Sequence, residues 1–178
     1  MTPDDIPDAG TLRPEQLGTY FALMEAVSLL QRAVEQQLQT EGDLSYVQFQ
    51  LLARLADAGQ PLTMTDLADG VVYSRSGLTH QAGLLAKAGL ITRGPSPQDQ
   101  RATMVTLTDE GLARVGRVLP GHIDITRRLL FAPLTADDVD ALGSIMTRVR
   151  NHMRQQPDST ARGRRTAPKH SRSAAPSE

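Results

Sequence analysis

Apolar residues recur at helical intervals along most of the chain, and the region from 62 to 111 organises the rest. Its pattern predicts two short helices separated by a turn. In the second helix Leu78, Ala82 and Leu85 lie at i, i+4 and i+7, so they share one face and point inward. Ser74 can cap this helix, because its hydroxyl can accept a hydrogen bond from a backbone N–H of the first turn.

A β-hairpin is predicted directly after the second helix. Gly89 follows the last helical residues, where a helix end favours a residue that tolerates left-handed backbone. Residues 90–93 read as a strand, residues 94–101 are polar and rich in turn formers, and a return strand follows around Val105. A short helix crossing a longer one, followed by a hairpin, is typical of a winged helix-turn-helix. In that motif the second helix enters the major groove of DNA.

The same region resembles the MarR family of bacterial transcriptional regulators. The resemblance rests on a D-x-R motif at residues 99–101 and a V-x-L-T-x-x-G run at residues 105–111, both placed after a helix-turn-helix. It extends over residues 14 to 155. It implies a mainly α-helical fold with a small β-hairpin wing, in which N- and C-terminal helices form a dimerisation region. Further matching elements are Leu62-Thr63, Asp66-Leu67-Ala68, Ser74 to Thr79, and Ala88 to Arg93.

Long helices with apolar stripes are predicted on both sides of the winged helix. The first begins near Pro14 and ends around Gly42, with more apolar surface than one small module can cover. We therefore expect part of it to pack on a second subunit, the alternative being a core helix within one chain. After the wing, Thr108 can cap a helix in which Pro120 should produce a kink or a break, and Thr135 can cap the last one.

These patterns divide the chain into five segments. The predicted segments are a flexible acidic N-terminus (1–13), a dimerisation helix (14–45), a winged helix-turn-helix domain (46–108), C-terminal dimerisation helices (109–156) and a basic tail (157–178). The tail is rich in Ser, Arg, Pro and Ala and lacks apolar periodicity, so it is predicted to be disordered. An apolar stripe of this size on a monomer would favour aggregation, so we predict a homodimer.

Charge is distributed unevenly along the chain, although its net value is only −1. Residues 157–178 carry five basic and two acidic side chains, a net charge of +3, and the stretch 75–101 carries four basic and one acidic, also +3. A basic stretch on an acidic body suits double-stranded DNA as partner. Cysteine is absent, which excludes a thiol-based redox switch. Without a membrane span or an export signal, the chain is predicted to be cytoplasmic.

Candidate DNA contacts lie on the second helix and on the hairpin. Arg101 can enter a minor groove, with Asp99 holding its guanidinium, since narrow A·T-rich grooves attract arginine. Arg75 and Ser76 begin the second helix, where side chains reach base edges in this motif. Arg93 can contact phosphate or brace the hairpin. For each residue the alternative is an ordinary solvated side chain. The candidates are Ser74, Arg75, Ser76, Thr79, His80, Arg93, Asp99 and Arg101.

No chemistry beyond binding is visible in the sequence. The four histidines are far apart, so no metal site or cofactor is predicted, and no catalytic motif occurs. The predicted function is a sequence-specific regulator, a repressor that binds a pseudo-palindromic operator as a homodimer. The family resemblance adds a small effector, aromatic or anionic, that binds between the dimerisation and DNA-binding regions. His122 is a candidate neighbour of such a cleft, the favoured alternative being an ordinary satisfied or exposed histidine. Among DNA-binding regulators the alternatives are an activator and a regulator without ligand that is controlled by its own abundance. The alternative of another class is a winged-helix module that binds protein instead of DNA.

Overall fold

The computed structural model describes residues 12–156, apart from residues 70, 72, 97, 98 and 100 and the side chain of Arg75. The predicted tail and nearly all of the predicted N-terminal segment therefore lie outside the described residues. The elements in chain order are α1 (Pro14–Gly42), α2 (Tyr46–Ala58), β1 (Leu62–Thr63), α3 (Met64–Ala68), α4 (Arg75–Lys87), β2 (Ile91–Pro95), β3 (Thr103–Leu107), α5 (Asp109–Thr126), a π-helical segment (Arg127–Phe131) and α6 (Ala136–Gln155).

The bounds of the first two helices follow from their terminal residues. α1 begins at a proline, whose fixed φ suits the first helical position, and it ends where Asp43 adopts a left-handed backbone with φ 51°. α2 is preceded by Ser45, whose hydroxyl accepts the N–H of Gln48 at 3.3 Å while the side chain of Gln48 accepts the N–H of Ser45 at 3.0 Å. This reciprocal capping box fixes the entry to α2, and Gly59 with φ 61° ends it.

A three-stranded antiparallel sheet lies beside the helices, in the order β1-β3-β2. The hairpin pairs Arg93 with Val105, and Val105 also pairs with Leu62 on the other side. The two-residue strand β1 was not predicted, because a segment that short has no alternating pattern to recognise. Its pairing places the central strand β3, and with it the wing, against the start of α3.

The core joins α1, α2, the helix-turn-helix, the sheet and α5 into one hydrophobic cluster. Its fully buried large side chains come from all of these elements. Burial of each such side chain is worth about 1.5–3 kcal/mol, so the core holds the winged helix to the end of α1. These side chains are Leu38, Leu44, Leu51, Leu52, Leu55, Leu67, Leu78, Leu85, Leu90, Val105 and Val118.

The helix that follows the wing does not break at Pro120. α5 is helical from Asp109 to Thr126, with the proline inside it. The prediction of a break at Pro120 is therefore wrong. Proline removes the hydrogen bond to the carbonyl of residue 116, but Gly116 and Pro120 are both exposed, so water can hydrate that carbonyl. The helical geometry changes later, in the π-helical segment Arg127–Phe131.

α6 belongs to a second compact unit, which begins at Leu134. The Thr135 hydroxyl accepts the N–H of Asp138 at 3.2 Å and donates to its carboxylate at 2.7 Å, so the predicted cap at Thr135 is confirmed and Asp138 completes a capping box. These hydrogen bonds lower the pKa of Asp138. Along α6, Ile145 and Met153 are exposed apolar side chains.

Candidate nucleic-acid interface

α4 presents one buried and one exposed face, as the sequence predicted. Leu78, Ala82 and Leu85 are 1%, 0% and 1% exposed, so they anchor the helix in the core. The Ser74 hydroxyl accepts the N–H of Gly77 at 3.1 Å, which confirms Ser74 as the N-cap. The helix is thus fixed along one side and at its start, and its other side is exposed.

The exposed side of α4 carries the polar candidates. Ser76, Thr79 and His80 are exposed, and the hydroxyls of Ser74 and Ser76 lie 3.4 Å apart. Arg75 begins the helix, but its side chain lies outside the description. Lys87, near the C-terminal end of α4, is exposed as well and adds a positive charge, although it is not among the candidate contact residues.

The turn before α4 contains a contact that the sequence did not reveal. A β-carbon placed on Gly77 would lie 2.4 Å from Cε1 of Tyr73, so the tyrosine ring packs directly on the first turn of the helix. Glycine costs about 1 kcal/mol inside a helix relative to alanine. A glycine inside the predicted helix was therefore the signal in the sequence that another side chain approaches the backbone at this position. Tyr73 remains 47% exposed, so part of its ring is accessible next to the first turn of α4.

Asp99 at the wing tip makes a hydrogen bond that the sequence did not predict. Its Oδ1 accepts the backbone N–H of Arg101 at 2.9 Å, and within the described residues no ion pair joins its carboxylate to the Arg101 guanidinium. A short side chain two residues before an N–H closes a local turn more readily than it reaches an extended arginine side chain. Asp99 therefore shapes the loop backbone and leaves the guanidinium of Arg101 exposed for a partner.

Arg93 lies on β2, at one edge of the sheet, and its side chain is exposed. Its guanidinium forms no side-chain hydrogen bond to another described residue, so the predicted brace across the hairpin is not seen. Phosphate contact remains the prediction for this residue. The hairpin is held by backbone bonds instead, among them Ser96 N–H to Ala102 O at 2.9 Å.

A cleft of about 300 Å³ lies where α2 meets α5, beside the helix-turn-helix. The rings of Phe49 and His122 lie against each other there, with centroids 4.6 Å apart. Burial lowers the pKa of His122 below its ordinary value of 6.5, which favours the neutral ring at pH 7. Arg54 borders the cleft and donates to the carbonyl of Asp66 at 3.1 Å, which ties α2 to the first helix of the helix-turn-helix.

Two buried nitrogens at this cleft have no hydrogen-bond partner. They are Nδ1 of His122 and Nε of Arg54. A buried donor or acceptor left unsatisfied costs about 1–3 kcal/mol. A ligand or ordered water that reached these nitrogens would recover that cost. The carboxylate of Asp57 lies at the rim of the same cleft.

A short helix and a longer one, joined by a turn and followed by a hairpin, define a winged helix-turn-helix protein. Comparisons with known proteins agree with this class. The model of the MarR family matches residues 42–102. Sco3205 from Streptomyces coelicolor, a MarR family transcriptional regulator solved in complex with DNA, is 33% identical with a TM-score of 0.79. That alignment covers 86% of this chain and 95% of Sco3205.

Relatives found by sequence similarity belong to the same class of protein. An uncharacterised HTH-type transcriptional regulator of Bacillus cereus is 30% identical, over 62% of this chain and 72% of that protein. The HTH-type transcriptional regulator PecS of Dickeya dadantii is 29% identical, over 73% of this chain and 79% of PecS. The chain belongs to the MarR family and is a DNA-binding transcriptional regulator. None of its described helices is long and apolar enough to cross a membrane.

Proposed function

We propose that the chain represses transcription in the cytoplasm by binding a pseudo-palindromic DNA operator as a homodimer, with no reaction catalysed. The observation that carries this proposal is the two-sided α4, whose inner face is buried and whose outer face is polar and exposed. We assign base-edge contacts to the start of α4, minor-groove contact to Arg101 and phosphate contact to Arg93. The proposed contact residues on α4 are Ser74, Arg75, Ser76, Thr79 and His80.

Homodimerisation is supported by apolar side chains that the first compact unit leaves uncovered. The N-terminal half of α1 exposes a helical stripe that includes Phe21, 60% exposed, and Val27, 40% exposed. Contiguous apolar surface of this kind marks an interaction site. We assign α1 and the helices of residues 109–156 to the dimer interface. Sedimentation at micromolar concentration should detect dimer alone, and a stable soluble monomer would rule this assignment out.

An effector site is supported by the cleft between α2 and α5. Phe49 and His122 line the cleft with aromatic rings that lie against each other, and Nε of Arg54 and Nδ1 of His122 are buried without hydrogen-bond partners. These groups suit a small aromatic molecule that carries a hydrogen-bond acceptor or a negative charge. A ligand that accepts a hydrogen bond from Nε of Arg54 and draws the guanidinium into the cleft would loosen the bond from Nη2 to the Asp66 carbonyl and so disturb the helix-turn-helix.

Three matched compounds test the effector site, because they distinguish the contribution of an aromatic ring from that of a negative charge. Benzoate is aromatic and anionic, benzamide is aromatic and neutral, and cyclohexanecarboxylate is anionic without an aromatic ring. We expect benzoate to raise the melting temperature most and to release the protein from DNA, and Arg54→Gln to reduce both effects. Equal responses to all three compounds, or an unchanged response in Arg54→Gln, would contradict the assignment.

Arg101 tests the DNA-binding surface. Arg101→Ala should weaken binding to a duplex selected from a random pool by about 1–3 kcal/mol without changing thermal stability, because the side chain is exposed. Asp99→Ala should have a smaller effect of the same sign, since Asp99 fixes only the loop backbone. Fluorescence anisotropy titration measures both variants.

The matched control is Arg13→Ala, which removes one positive charge from an exposed position before α1, outside the helices assigned to the dimer interface. It should bind nearly like wild type. If Arg101→Ala and Arg13→Ala bind equally well, the wing does not read DNA. If the wild-type protein prefers no sequence from the pool, specific DNA binding is contradicted. That result would favour the alternative function, a winged helix that binds protein.

A further inference from the structure

The side chain of Gln48 connects the start of α2 to the recognition helix α4. Its Nε2 donates to Oε1 of Gln81 at 3.1 Å, between residues that are 33 positions apart in the chain. Both side chains are half-buried. Neither residue belongs to the DNA-facing set assigned above, and neither lies on the fully buried face of its helix.

The direction of this hydrogen bond is fixed by the capping box of α2. A backbone N–H can only donate, so the N–H of Ser45 must face Oε1 of Gln48, which it does at 3.0 Å. Nε2 of Gln48 must then point the other way, toward α4. Gln81 must therefore accept this hydrogen bond through its Oε1. The amide of Gln48 is therefore held at both ends, and it cannot turn over without losing one bond.

We propose that Gln81 is a positioning residue, held by Gln48, that sets the rotation of α4 about its own axis and thereby the sequence preference of the protein. This proposal rests on the proposed function, in which α4 contacts the base edges of DNA. Apolar packing of Leu78, Ala82 and Leu85 fixes how deeply the helix sits, but such contacts have little directionality. A hydrogen bond weakens when its angle departs from linear, so it resists rotation.

The size of the effect follows from helix geometry. Side-chain tips lie about 5–6 Å from a helix axis, so a rotation of about 20° moves them by about 2 Å. Hydrogen bonds to base edges do not survive a displacement of that size, whereas electrostatic contacts to phosphates do. Loss of the Gln48–Gln81 bond should therefore reduce sequence preference more than overall DNA affinity.

The test compares variants that break the bond with variants that keep it. Gln81→Met keeps length and helix propensity, leaves the capping box of α2 intact and removes the acceptor. Gln48→Glu keeps the acceptor for Ser45 and can accept from Nε2 of Gln81 once that amide turns over. Binding is measured well below the melting temperature against the preferred duplex from a random pool and against random duplex. Under these conditions a purely structural loss of stability leaves the affinity ratio unchanged.

We expect Gln81→Met to lower the ratio of specific to random affinity about three- to tenfold, the range that one hydrogen bond supports, and Gln48→Glu to retain the wild-type ratio. A wild-type ratio in Gln81→Met, or an equal loss in Gln48→Glu, would overturn the inference while DNA binding stands. A wild-type protein without any preferred duplex would overturn the proposed function and this inference together.

Discussion

Gly111→Ala is expected to destabilise the protein by about 3 kcal/mol, at the upper end of the cost of overpacking a core. A β-carbon at this position would lie 2.1 Å from the carbonyl oxygen of Leu90 and 2.7 Å from Cδ1 of Leu107. The first neighbour is backbone, so it cannot rotate away as a flexible side chain would. Because the Thr108 N–H also donates to the Leu90 carbonyl at 3.2 Å, a shift there would disturb the end of the wing as well.

Gly116→Ala is the matched control in the same helix. No atom lies within 4 Å of the position its β-carbon would take, so it should gain up to about 1 kcal/mol from helix propensity. Urea unfolding of both variants measures the difference, which we expect to be about 3–4 kcal/mol in the free energy of unfolding. Equal stabilities of the two variants would show that α5 does not approach the wing as closely as described.

The sequence was sufficient wherever one local rule decided the structure. The bounds of α1 follow from Pro14 and Gly42, and the inward face of α4 follows from the spacing of its apolar residues. Side-chain caps at Ser74 and Thr135 were predictable for the same reason, because a cap involves residues only three positions apart.

Features that depend on distant parts of the chain were not predictable from local pattern. Strand β1 exists because Leu62 meets Val105, more than forty residues away, and its two residues carry no signal of their own. The contact between Gln48 and Gln81 likewise requires α2 and α4 to be packed first. Pro120 shows the opposite case, in which a strong local rule was overridden: the neighbouring turns and an exposed, hydratable carbonyl let the helix continue.

Asp99 shows why the wing was only partly predicted. The D-x-R spacing placed Asp99 near Arg101, but it did not decide which atoms of the two residues meet. An aspartate can bond either to a backbone N–H or to a guanidinium, and the backbone is nearer in a tight turn. The guanidinium of Arg101 is consequently presented without an intramolecular counter-ion in the described residues, which strengthens its proposed attraction to DNA.

Truncation at Pro157 is expected to weaken DNA binding strongly at low salt. The removed segment carries Arg162, Arg164, Arg165, Lys169 and Arg172 against two acidic residues. Each phosphate contact contributes about −0.9 to the slope of log affinity against log salt on duplex DNA, so two to four contacts would account for roughly 2–4 units. Between roughly 50 and 200 mM salt, slopes of that size correspond to about 15- to 250-fold in affinity.

Three proteins distinguish the effect of the tail's charge from that of its length. They are the full-length chain, the truncated chain and a full-length chain in which the five basic residues are replaced by glutamine. We expect the last two to share the flatter slope, with specific and random DNA weakened by similar factors, because phosphate contacts carry no sequence information. A tail that only improves solubility predicts equal slopes for all three proteins. Titration against selected and random duplex over a salt series decides between these outcomes. A changed ratio of specific to random affinity at an unchanged slope would contradict both and indicate that the tail contacts bases directly.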